Sequence, residues 1–87
     1  MKKTQTQLKQ ELANAAKHIE VGGIYVHYKD PSHTYRVNGL AINTDGDGVC
    51  VIYQALYDEQ LTFVRSIEEW LDDVEKDGTV VKRFQLV

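Results

Sequence analysis

Val49-Cys50-Val51-Ile52-Tyr53-Gln54-Ala55-Leu56-Tyr57 is apolar on both faces when its residues alternate between two sides. That pattern predicts the central strand of a sheet, with neighbours on both edges. Upstream, Asn43-Thr44-Asp45-Gly46-Asp47-Gly48 reads as a turn, preceded by a strand over 34–42. Gly39 inside that strand predicts a bulge or sharp bend. Asp30-Pro31-Ser32, with proline set for the second turn position, closes an earlier strand over 24–29. Downstream, Asp58-Glu59-Gln60 turns the chain into a strand over 61–65. Ser66 and Glu69 then stand at capping-box spacing before a short helix whose Ile67, Trp70, Leu71 and Val74 face inward. Asp77-Gly78 is a two-residue hairpin signal leading into a last strand over 79–87.

The first residues carry a different period. Leu8, Leu12, Ala15, Ala16 and Ile19 form one stripe of an α-helix, with Thr4 and Gln7 at capping-box spacing and Gly22-Gly23 to stop it. Lys17 and His18 complement the exposed carbonyls of its last turn. The stripe is narrow and alanine-rich, so the helix needs something to dock on. Its own sheet is the expected partner, and a homodimer through the same stripe is the alternative to a monomer. The fold class that follows is mainly β with helices: a small five-stranded antiparallel SH3-like or half-open barrel, an N-terminal amphipathic helix, and a short helix before the last hairpin. Residues 1–21 form the helical arm and 22–87 the barrel-like domain.

With 87 residues, 43% hydrophobic and 26% charged, the chain has the composition of a single globular domain. The basic start Met1-Lys2-Lys3 is not followed by an apolar run, and no stretch approaches the length of a membrane span. A single cysteine cannot make an internal disulfide, which fits a soluble cytoplasmic protein. The net charge of −3 divides unevenly, with lysines gathered in 1–19 and carboxylates in 66–77. The acidic total and the absence of an arginine cluster weigh against a basic arm for nucleic acid.

No motif demands metal or cofactor. Asn43, Asp45, Asp47 and Gly48 match the start of a calcium loop, but Gln54 stands where the bidentate glutamate belongs, and a plain hairpin loop is the better reading. His18, His27, His33 and Cys50 lack zinc-ligand spacing, and Cys50 reads as a buried small hydrophobe. No serine lies in a nucleophile elbow and no glycine run cradles phosphate.

What remains are aromatic and basic side chains on strands. Tyr25, His27 and Lys29 share one strand face; Tyr53 and Tyr57 share another; Arg65 alternates with Phe63 and Leu61. In a thin core many such tyrosines are structural. Lys29 and Arg65, however, sit at strand ends in line with aromatic faces, where a cation can pair with a carboxylate or phosphate. The candidate ligand-binding set is Tyr25, His27, Lys29, Tyr35, Tyr53, Tyr57 and Arg65, serving a small anionic or nucleotide-like molecule or a peptide, with no catalytic residue assigned. Single-stranded nucleic acid is the rival within binding. An enzyme using His27 as general base, partnered by Tyr28 or Tyr53, is the rival outside it. Which face of 49–57 is buried depends on register and is left open by the sequence.

The order Tyr25-x-His27-Tyr28-Lys29, Tyr35-x-Val37-x-Gly39-x-Ala41, Tyr53-x-Ala55-Leu56-Tyr57, Val64-Arg65, Trp70 and Arg83-Phe84 resembles a bacterial family, domain of unknown function 1653, over about residues 22–87. The resemblance implies a compact β-rich module with no assigned activity. The chain departs from the family pattern at Gln54, where arginine is expected, at Ser66 and Lys82, where proline is expected, and at Asp30 in place of glycine.

Overall fold

The computed structural model describes residues 2–87. Helix α1 spans Gln5–Ala16, and the strands follow as β1 (Ile24–His27), β2 (Asp30–Asn43), β3 (Gly48–Ala55) and β4 (Thr62–Ser66). A one-turn helix α2 (Ile67–Trp70) precedes β5 (Asp73–Lys76), β6 (Thr79–Lys82) and β7 (Phe84–Leu86). Five strands form one antiparallel sheet in the order β4-β3-β2-β1-β7, and β5-β6 stands apart as a hairpin. The sheet is not closed, which is the half-open form of the expected architecture. Among the described residues, no helix is long and apolar enough to cross a membrane.

Several local signals act as the sequence indicates. Thr4 and Gln7 cap α1 reciprocally. Gly22 does take positive φ (+86°), but α1 has already ended at Ala16 with Lys17 as its C-cap, so Lys17 and His18 lie beyond its last turn and the glycines do not stop it. Asn38 is the extra residue of a bulge in β2, because Val37 pairs with Tyr53 while Gly39 pairs with Ile52. Asp77 and Gly78, both at positive φ (53° and 79°), make the tight hairpin between β5 and β6.

Other expectations are corrected. β3 has neighbours on both edges, β2 and β4, as expected, but the middle strand of the sheet is β2, and Leu56 and Tyr57 lie beyond β3. Chain reversal after β1 falls at Tyr28-Lys29, two residues before the expected turn, so Lys29 is a turn residue. Asp30-Pro31-Ser32-His33 becomes a bulged excursion in which Asp30 Oδ1 accepts from the Ser32 amide (3.1 Å) and hydroxyl (2.6 Å). The second helix stops at Trp70. Ser66 Oγ does cap it, accepting from the Glu69 amide at 3.3 Å. Asp72 and Asp73, however, would place negative charge at its carbonyl end, and Val74 finds a strand partner in Val81 instead. The expected strand over 79–87 is divided at Arg83 between two partners, β5 and β1.

Register places Tyr25, Tyr35, Val37, Val51, Tyr53 and Phe63 on one sheet face. There Ile19, Tyr25, Val37, Val51, Tyr53, Trp70 and Phe84 form the core. Trp70, 2% exposed, stacks on Phe84 with ring centroids 3.8 Å apart and receives Tyr25 and Tyr53 edge-on. Helix α1 packs on its own β2 and β3, burying Leu8 and Ala15. Its entry is pinned by Asp47, whose Oδ2 accepts from the amides of Lys2 (2.6 Å) and Lys3 (3.0 Å).

Candidate functional site

The site begins with the backbone around residue 83. Arg83 N–H donates to the Asp72 carbonyl (3.0 Å), and its own carbonyl accepts from Tyr28 N–H (2.9 Å). These two bonds fix the crossing from β6 to β7 beside the Tyr28-Lys29 turn. Lys76 Nζ ties the β5-β6 hairpin to the same turn through the Tyr28 carbonyl at 2.8 Å. Next to this junction lies a cleft of about 410 Å³, lined by His27, Lys29, Asp30, His33, Tyr35, Tyr53, Arg65, Arg83 and Phe84.

Phe84 and Tyr53 supply apolar surface within the cleft. The Arg65 guanidinium sits 5.4 Å from the Phe84 ring centre. Its Nε donates to Tyr53 Oη (3.3 Å) and its Nη1 to Glu69 (3.2 Å). The Arg83 guanidinium lies 5.9 Å from the Tyr28 ring centre and 3.6 Å from Asp72. Arg83 Nε is buried with no hydrogen-bond partner among the described residues.

His27 lies edge-on to Phe84 at 4.9 Å. Its Nδ1 accepts from the Lys29 amide at 3.2 Å, so the neutral ring carries its proton on Nε2. Burial, and then the charges of Arg65, Arg83 and Lys29, hold its pKa below the ordinary histidine value. At neutral pH it is therefore an uncharged donor with no free lone pair. Tyr35 and Tyr57 share a hydroxyl–hydroxyl hydrogen bond of 2.6 Å, and Tyr57 stacks on His33 at 3.9 Å. Burial pushes the Tyr35 phenol well above its usual range, so it too stays neutral.

Of the seven residues singled out in the sequence, His27, Lys29, Tyr35, Tyr53 and Arg65 line this cleft. Tyr57 stands behind Tyr35 as its hydrogen-bond partner. Tyr25 belongs to the core, its hydroxyl accepting from the Glu20 amide at 3.0 Å. Sequence reasoning missed Arg83, Phe84, His33 and Asp30 as lining residues. The available signal was Arg83-Phe84 itself, a cation beside an aromatic near the end of the last strand. A larger hollow of about 650 Å³ lies on the opposite sheet face, around Ala41, Cys50, Ile52 and Val64. Arg65 touches its rim, but it lacks the convergent charge that makes a recognition site. In the loop that resembles a calcium-loop start, Asn43 Oδ1 accepts from the Asp45 amide and Asp47 Oδ2 accepts from the Lys2 amide.

The family described as "Protein of unknown function (DUF1653)" matches residues 23–86. The chain belongs to that family. A crystal structure of a DUF1653 protein from Bordetella bronchiseptica is similar to it, with 31% identity and a TM-score of 0.67 over 76% of this chain and 85% of that one. No curated protein matches the chain. Helix α1 precedes the matched residues, whereas the cleft lies within them.

Proposed function

We propose that this DUF1653 protein is a small non-catalytic binding module of the cytoplasm whose cleft takes a small anionic molecule. The observation that carries the reading is the lining. Lys29, Arg65 and Arg83 surround an aromatic surface with Asp30 as the one carboxylate among them. Guanidinium groups recognise carboxylates and phosphates through paired, charge-assisted hydrogen bonds. A volume near 410 Å³ suits a small ligand better than a nucleic-acid strand.

The engagement of His27 speaks against the general-base alternative. Taking up a proton at Nδ1 would break the bond from the Lys29 amide, and Nε2 already carries one.

The test is a set of small carboxylates and phosphates titrated into the ¹⁵N-labelled protein. Lys29→Ala and Arg65→Gln are each expected to weaken binding about tenfold or more, the worth of one charge-assisted hydrogen bond. Lys29→Ala should leave thermal stability unchanged, because Lys29 is exposed and makes no ion pair among the described residues. Amide shifts confined to surfaces away from the cleft would end this reading. Oligonucleotide binding that collapses steeply with salt would replace it with the nucleic-acid alternative.

A further inference from the structure

We propose that Arg83 and Arg65 act together as a clamp for a dianion, and that the group the cleft selects is the phosphate of a small phosphate monoester. This rests on the anion-binding reading and sharpens it.

The first argument is charge. Three permanent cations, Lys29, Arg65 and Arg83, line the cleft against one carboxylate, Asp30, leaving an excess of two positive charges while His27 is neutral. A monocarboxylate cancels half of that excess; a dianionic phosphate cancels all of it. Glu69 and Asp72 bear on the same arginines, but both are more than half exposed. Their attraction is weakened by solvent and is displaceable.

The second argument is pre-organisation. Each guanidinium is placed by groups other than a ligand: Arg65 by Phe84 and the Tyr53 hydroxyl, Arg83 by the Tyr28 ring. The Arg83 backbone is fixed through both its N–H and its carbonyl. Its Nε is buried with no hydrogen-bond partner among the described residues, a donor that a ligand oxygen would satisfy. The third argument is the donor-rich lining. His27 offers an N–H and no acceptor, and the arginines offer only donors, which suits a group whose terminal oxygens only accept.

The test compares sulfate, inorganic phosphate, glycerol phosphate and acetate at one ionic strength on the full chain, read by the arginine Nε–H and backbone amide resonances. Sulfate and both phosphates should bind at least about tenfold more tightly than acetate at about pH 8. Between about pH 8 and about pH 5.5, both phosphates should weaken relative to sulfate, because only they take up a proton and lose their second charge within that window. Arg83→Gln should erase the preference for sulfate over acetate, and Lys29→Ala should weaken all the anions by a similar factor. If Arg83→Gln fails to fold, Arg83→Lys keeps the charge without the fork and should retain only part of the preference. Acetate binding as tightly as sulfate would overturn the clamp and leave the anion-binding reading standing, and so would an intact preference in the Arg83 variant. No response to any of the anions would overturn both.

Discussion

Trp70 contacts each of the other three aromatic rings of the buried core, through a parallel stack on Phe84 and edge contacts with Tyr25 and Tyr53. Trp70→Ala would open a cavity bordered by three rings that cannot collapse into it. The expected loss is about 3–5 kcal/mol, enough to unfold a domain of this size. Urea denaturation followed by circular dichroism checks it, and a midpoint close to wild type would contradict the packing described. Its burial was legible because Trp70 stands with Ile67 in a short capped segment. The fates of the tyrosines were less so. Period two says that Tyr25 and His27 share a face, but not that the first would enter the core and the second reach the cleft rim. Arg83 was harder still, since its position depends on hydrogen bonds to residues far away in sequence, which no local pattern encodes.

At the level of elements, local rules succeeded where a cap or turn has fixed chemistry: the Thr4–Gln7 box, the Asp77-Gly78 hairpin, the bulge before Gly39. They failed where two partners competed for one segment, as at residues 71–76 and at Arg83. The attachment of α1 is governed by a residue that reads as part of an ordinary loop. Asp47 carries its charge against the backbone amides of Lys3 and Lys2, and these hydrogen bonds hold its pKa below the usual aspartate value. The unfolded chain therefore binds the proton more readily. The Asp47 contribution to stability is present above about pH 4 and lost as pH falls through the lower folded value. Asp47→Asn keeps the backbone conformation and removes the charge. Amides of 5–16 should then exchange about threefold faster or more at neutral pH, and the acid-dependent loosening of α1 should diminish. Unaltered exchange in α1 would show that Leu8 and Ala15 hold the helix unaided.

Across the whole molecule, an acidic protein presents a cationic cleft, because Lys29, Arg65 and Arg83 line one cleft in which Asp30 is the one lining carboxylate. Net charge was a poor guide to the site for that reason. The mainly β, half-open architecture was legible from strand spacing, whereas the count of strands in the second half was not, since the β5-β6 hairpin buries little. The bulge at Asn38 links the two ends of this sheet. Val37 faces the core beside Tyr53, and Leu40, three residues on, faces it again beside Val51. Strict alternation would send Leu40 and Ile42 outward, and Asn38 is the uncounted beat that restores phase. Position 38 is thus constrained in number and free in letter. Asn38→Ala should stay within about 0.5 kcal/mol of wild type. Deleting the residue should invert one half of β2 and abolish cooperative thermal unfolding; a deletion variant that melts like the parent would refute this. Insertions and deletions, more than substitutions, are what this strand cannot absorb, and length variation within it should be tolerated only where a second change restores the beat.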